Sequence, residues 1–400
     1  MRGLLAALLL ALAASVTSAS DSAAVERGRY IAVAANCVSC HTRPGGEPFA
    51  GGLALQTPLG AVHATNITPD PETGIGRWSL ADFRRAMREG IAADGAYLFP
   101  AFPYTAYTRM SDEELADLFA WLRTLTPVRY TPPENGIAFT FRWPMALWNA
   151  LSLEQGPRAP DPAQSAEWNR GEYLVNGPGH CGACHTPRNA LLAEDPARAL
   201  AGGTLHGEVA PGVERMWFAV DLRRVKHGLA AWTDKDFLAY FSKGYGMRGA
   251  SSGPMNEVIV NSLSQLRPDD QRAIAVYLGS LEGEEYAGPV VDASQAAEGA
   301  GLYDKHCAEC HQKNGRGNFL KAPALAGNAV VQGENPASLL NLILHGPPLA
   351  EGLRYGAWED MPAFGKKLDD AGVALLANYL RSSWGNRAAP VTVDQVAAQR

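Results

Sequence analysis

Three pentapeptides decide how this chain is read: "CVSCH" at residues 37–41, "CGACH" at 181–185 and "CAECH" at 307–311. The chain has six cysteines, and all six fall in these motifs. Each motif is C-x-x-C-H, with two thiols one helical turn apart and an imidazole directly after. At that spacing the thiols reach the two vinyl groups on one edge of a porphyrin, and the histidine turns its ring onto the iron. A zinc site would pair two C-x-x-C units, and a redox C-x-x-C needs no histidine after it three times over. The residues therefore predict three covalently bound haem c groups. They attach through Cys37 and Cys40, Cys181 and Cys184, and Cys307 and Cys310, with His41, His185 and His311 on the iron.

The surrounding sequence repeats as well. Ahead of the motifs lie "ERGRYIAVAANC", "NRGEYLVNGPGHC" and "EGAGLYDKHC", each reading as a helix. After the first two come "GRWSLADFRRAMREG" and "AAWTDKDFLAYFSKG", where Ser79 and Thr233 are placed as N-caps with Asp82 and Asp236 three residues on. "NPASLLNLILHG" is the third counterpart. Each unit closes with an amphipathic helix: "SDEELADLFAWLRTL", "RPDDQRAIAVYLGSL" and "LDDAGVALLANYLRSS". A helix before the haem, one beneath it and one at the end is the plan of a small class I cytochrome c domain. The predicted fold is mainly α: three tandem class I cytochrome c-like domains joined by Pro/Gly-rich linkers. The domains cover residues 20–130, 166–281 and 295–386, with linkers at 131–165 and 282–294 and a tail at 387–400. A porphyrin supplies much of the apolar core that so small a unit needs. The first linker carries the aromatic run "FTFRWPMALWNAL". Phe141, Trp143, Leu147 and Trp148 are expected to pack over domain one or two; the other reading is a contact for a partner protein or a membrane interface.

Residues 1–19 have the form of a secretory signal: Arg2, an apolar run from Leu4 to Ala14, then small residues before Ser20. No later segment holds 18 uninterrupted apolar residues, so the mature chain is not expected to span a bilayer. The formal charge is −6 with no basic run, which argues against a nucleic-acid partner. No phosphate loop, hydrolase elbow or paired-carboxylate signature is present, and no catalytic residue is assigned.

The sixth ligand of each iron sets its potential and its chemistry. A thioether stabilises ferrous iron and raises the potential, whereas an empty position binds small molecules. Met361, in "EDMPAFGKKLDD", is the candidate in domain three. Met255, in "SSGPMNEV", is preferred in domain two over Met247. Domain one has F-P-A-F from Phe99 to Phe102 where domain three has M-P-A-F. Met87 reads as a core residue on a helix. Met110 is the best remaining candidate, beside a five-coordinate iron or another ligand such as His63. Asn66, Thr68, Arg77 and Trp78 have the chemistry to bond haem propionates or to form a plain Asx/Pro turn.

With these residues in hand, the chain resembles the three-haem cytochrome c subunit of membrane-associated bacterial dehydrogenases. "TNITPDPETGIGRWS", "FPAFPYTAY" and "GPMNEVIVNSLSQL" carry the resemblance together with the three motifs. It implies haem at the six cysteines, and iron ligation by His41, His185, His311, Met255 and Met361. It implies a catalytic dehydrogenase partner of quinoprotein, flavoprotein or molybdenum type, and membrane quinone or a terminal oxidase as acceptor. Phe102 stands where alcohol dehydrogenase members of the family carry a methionine. The expected role is electron transfer at the periplasmic face of the inner membrane, with attachment through partners or surface segments. The alternatives are a peroxidase-like enzyme with an open first haem, and a free-standing carrier.

Overall fold

Capping signals read from the sequence start two of the helices in the computed structural model, which describes residues 22–137, 142–210, 212–347, 349–353, 358 and 360–400. The expected signal segment at 1–19 lies outside the described residues, as does Phe141. Ser79 Oγ accepts from the Asp82 N–H and the Asp82 carboxylate accepts back from the Ser79 N–H. Thr233 and Asp236 form the same reciprocal box. The chain divides into two compact units. One covers residues up to 159 with 177–179, and the other covers 160–176 and 180–400.

The first unit holds helices α1 (residues 22–34), α2 (Leu80–Glu89), α3 (Asp112–Leu122) and α4 (Pro144–Ser152), with a hairpin of β1 (Ala54–Thr57) and β2 (Gly60–His63). Ile31, Ala35, Phe83, Met87, Met110, Leu115 and Leu118 form its core. The second unit holds α5 (Ala166–Asn176), the hairpin β3 (Gly203–Ala210) and β4 (Val213–Ala219), and then α6 (Asp234–Lys243), α7 (Pro254–Asn261) and α8 (Pro268–Ser280). It continues with α9 (Ala293–His306), α10 (Ala337–His345), α11 (Asp370–Ser382) and α12 (Val393–Gln399).

One packing device occurs three times. The helix ahead of each motif crosses the closing helix at a glycine. A Cβ on Gly28 would lie 1.9 Å from the Asp117 carbonyl oxygen, on Gly171 2.0 Å from that of Ala273, and on Gly299 2.3 Å from that of Leu375. Only a hydrogen fits at such an approach, and this explains the glycine in "ERG", "NRG" and "EGAG". At the first two crossings the preceding arginine adds a bidentate pair. Arg27 holds Asp117 at 2.6 and 3.0 Å, and Arg170 holds Asp270 at 2.7 and 3.0 Å.

The 282–294 segment lies inside the second unit. The regions around the second and third motifs share one unit because hydrogen bonds cross between them. Ala324 N–H donates to the Met247 carbonyl at 2.9 Å, Asn328 Nδ2 to the Arg248 carbonyl at 3.0 Å, and Asn341 Nδ2 to the Met216 carbonyl at 2.8 Å. Residues 387–400, expected as a tail, fold back: Val396 has no exposed surface, and Arg400 donates to the Leu368 carbonyl at 3.0 Å and to the Asp370 carboxylate at 2.6 Å. In the first linker, Trp148 packs against Tyr104, with ring centroids 6.2 Å apart. Trp143, Leu147 and Leu151 lie exposed along α4.

Candidate functional site

Each C-x-x-C-H motif winds into a single helical turn. The His41 N–H donates to the Cys37 carbonyl at 3.0 Å, His185 to Cys181 at 2.9 Å and His311 to Cys307 at 2.9 Å. The turn carries both thiols and the imidazole on one short, backbone-bonded element. The imidazole is then oriented from elsewhere in the chain. His41 Nδ1 lies 2.6 Å from the Thr65 carbonyl oxygen, His185 Nδ1 2.7 Å from that of Val220, and His311 Nδ1 2.9 Å from that of Pro323. A carbonyl can only accept, so Nδ1 carries the proton and donates. Nε2 is then the bare nitrogen on all three rings, which is the tautomer that binds a metal. Sequence reasoning placed the three histidines but missed their anchors, because a backbone carbonyl leaves no residue signature.

The electrostatics agree. Burial holds all three imidazoles below their ordinary value, outweighing the carbonyl bond that favours the charged form, so they stay neutral. Burial, reinforced by the neighbouring cysteine, pushes the Cys37, Cys181 and Cys307 thiols up to about 12. A disulfide-exchange C-x-x-C needs the opposite shift. Among the described residues no three His, Cys, Asp or Glu side chains gather as a metal cluster of the zinc type. The donor set of each turn instead fits an iron porphyrin linked through sulfur. Trp232 Nε1, one residue ahead of the Thr233 N-cap, is a buried N–H without a partner in the protein.

The candidate sixth ligands fall in different surroundings. Met361 is half-buried against the core that includes Cys307. Met255 is half-buried in the first turn of α7, after Gly253, whose backbone approaches the Trp217 ring. Met247 gives its carbonyl to Ala324. Met110 has no exposed surface, and Met87 is buried beside it in the same core. Phe102 is half-buried in the cluster that also contains Cys37, its ring 5.5 Å from that of Tyr107. His63 donates its N–H to Asn135 Oδ1 at 2.8 Å, and its Nδ1 is buried without a partner. Asn66 and Thr68 are buried, and Asn66 Nδ2 donates to the Val128 carbonyl at 2.7 Å. Their polar groups tie the turn to the 128–130 backbone, which favours the Asx-turn role over propionate binding.

Comparison with known proteins agrees with this geometry. Residues 25–126 match the cytochrome c family model, and residues 294–380 match the model described as cytochrome c oxidase, cbb3-type, subunit III. The chain is 44% identical to a nicotinate dehydrogenase subunit of Pseudomonas putida over 90% of its own length, but spans only 30% of that protein. It is 38% identical to the cytochrome c subunit of the quinone-dependent alcohol dehydrogenase of Gluconacetobacter polyoxogenes, covering 96% of this chain and 86% of the relative. It is 37% identical to the gluconate 2-dehydrogenase cytochrome c subunit of Pantoea cypripedii, covering 100% and 95%. With neutral imidazoles aimed from C-x-x-C-H turns, and the last two relatives matched along most of their length, the chain belongs to the family of cytochrome c subunits of dehydrogenases.

Proposed function

We propose that this chain is a three-haem electron conduit, built from three cytochrome c-like modules and serving a separate catalytic dehydrogenase. The observation that carries the reading is the threefold anchor: each motif histidine donates Nδ1–H to a backbone carbonyl and keeps Nε2 for iron. Bound haem supplies a one-electron couple. The chain's residues attach it through Cys37 and Cys40, Cys181 and Cys184, and Cys307 and Cys310, orient it through His41, His185 and His311, and exclude water with the packed helix pairs. Met255 and Met361 are proposed as thioether ligands that raise the potentials of the second and third haems.

The catalytic partner would oxidise the organic substrate, and membrane quinone or a terminal oxidase would accept the electrons. Relatives named as cytochrome c subunits of an alcohol dehydrogenase and a gluconate dehydrogenase support a separate catalytic partner. Export to the periplasm is proposed from the signal-like residues 1–19. No helix among the described residues is long and apolar enough to cross a membrane. Attachment through partners or surface segments such as the exposed face of α4 is proposed.

The test is to purify the native protein from membranes, measure its haem content by mass, and assay the preparation for dehydrogenase activity. Three haems per chain and a co-purifying dehydrogenase are expected. A haem count below three, or a protein that runs alone, overturns the reading.

A further inference from the structure

We infer that the first haem receives no thioether from this chain and stays open on its sixth side to a small neutral ligand of the carbon monoxide class. This rests on haem c being held at Cys37, Cys40 and His41, as proposed above.

Met110 directly precedes Ser111, the N-cap of α3, whose box with Glu114 is complete. The residues in that place in the other two closing helices are Leu266, before the Arg267 cap of α8, and Leu368, before the Asp369 cap of α11. Leucine has no lone pair to offer iron, so this position is one of packing. The partners agree. A residue just before the N-cap packs against the fourth residue of the helix. Met110 shares its core with Leu115, neither having exposed surface, and Leu368 shares its core with Val373.

Coverage points the same way. Protein atoms cover the whole surface of Met110, so no sulfur surface is left for a metal. His41, His185, His311, Met255 and Met361 are each only half-buried by the protein. The backbone of Met110 is also held in place. Its N–H donates to the Tyr107 carbonyl at 3.0 Å, and its own carbonyl accepts from Arg88 Nη2 at 2.8 Å. Arg88 is itself held by Asp112 at 3.0 Å.

The other donors among the described residues of the first unit are spent or misplaced. Met87 is buried on α2. Met145 lies on α4, outside the cluster that contains Cys37. His63 ends β2, two residues before Thr65, whose carbonyl anchors His41, and its N–H is tied to Asn135 Oδ1 at 2.8 Å. The Tyr104 hydroxyl donates to Asn149 Oδ1 at 2.7 Å, and the Tyr107 hydroxyl to the Ala35 carbonyl at 3.3 Å. Beside Cys37 this leaves Phe102, half-buried and without a donor atom. An aromatic wall of that kind suits an uncharged diatomic and not an anion.

The experiment uses the full-length, haem-loaded protein, with haem content measured first. The reduced protein is titrated with carbon monoxide, and the oxidised protein is examined by electron paramagnetic resonance. One bound carbon monoxide per chain and one high-spin ferric signal are expected. Met110→Leu leaves both unchanged, and Met361→Leu raises the count to two. A fully loaded wild type that binds no carbon monoxide and is wholly low-spin overturns the inference while leaving the electron-transfer reading intact. A new carbon monoxide site created by Met110→Leu, Met145→Leu or His63→Gln also overturns it. If Met110→Leu does not accumulate, the wild-type titration decides alone.

Discussion

Gly299 and Gly301 lie two residues apart on α9, yet the same substitution at each has opposite predicted effects. Gly301 faces open space, with nothing within 4 Å of a built Cβ. Replacing it with alanine removes backbone entropy from the unfolded chain and stabilises the helix by up to about 1 kcal/mol. At Gly299 the added methyl meets the Leu375 carbonyl oxygen at 2.3 Å and Tyr379 Cβ at 2.6 Å, where ordinary contact begins at 3.4 Å. The helices must part by about 1 Å, and overpacking of that kind costs roughly 1–3 kcal/mol. The obstacle is a backbone atom that cannot rotate away, so the upper end applies and the clash outweighs the helix gain. The net loss for Gly299→Ala is about 2 kcal/mol. In a unit of this size each kcal/mol moves the melting temperature by about 2–4 °C, so the two variants separate by roughly 6–12 °C. Thermal unfolding of the haem-loaded proteins, followed by far-ultraviolet circular dichroism, measures this. Equal shifts in the same direction would refute the crossing as the reason for the glycine.

Burial would raise the Asp221 carboxyl, but its bonds with His227 and Arg223 overcome this and hold it at about 2 instead of 3.8. A depressed carboxyl contributes stability above about pH 4 and loses it as pH falls toward 2, so Asp221→Asn should lose about 2 kcal/mol at pH 7 and flatten the acid limb in urea titrations. Thr233→Ala removes the box at the start of α6 and should cost about 1 kcal/mol by the same titration. Asn149 bridges the Tyr104 hydroxyl and the Glu89 carbonyl at 2.7 and 2.8 Å. Asn149→Ala should therefore speed proteolytic cleavage within 131–159 several-fold while leaving the haem spectrum unchanged; equal cleavage rates would show that α4 is held by other contacts.

The motifs, the capped helices and the closing helices were legible because each has a local signature: paired thiols, a Ser or Thr box, an amphipathic period. The imidazole anchors were not legible, because Thr65, Val220 and Pro323 contribute only their carbonyls. Glycine ahead of each motif was visible, but its reason lies in a partner helix far along the chain. Met110 shows the same limit from the other side. A methionine in a region that needs a ligand reads as one, and only its complete coverage and its match to Leu266 and Leu368 return it to the core. The 282–294 segment has a linker's composition, yet composition says nothing about side chains that reach past it.

Those side chains can be tested directly. β4 belongs to a two-stranded sheet, so its outer edge has N–H and C=O groups that no strand pairs. Helix α10 covers that edge with polar side chains. The Phe218 N–H donates to Ser338 Oγ at 2.9 Å, and the same hydroxyl donates to the Phe218 carbonyl at 2.9 Å. Two residues earlier on the strand, the Met216 carbonyl accepts from Asn341 Nδ2. Ser338 is buried, so Ser338→Ala leaves two backbone groups dry and unpaired. Each such group costs roughly 1–3 kcal/mol, so a total of about 2–6 kcal/mol is expected. Hydrogen exchange should quicken at the Phe218 amide and along 203–219, with little change in α9 or α11. Unchanged exchange in the hairpin would mean that apolar packing, and not this hydroxyl, joins the second motif's region to the third. If the expected result holds, the spacing between those two motifs is set by the fold and not by a flexible tether.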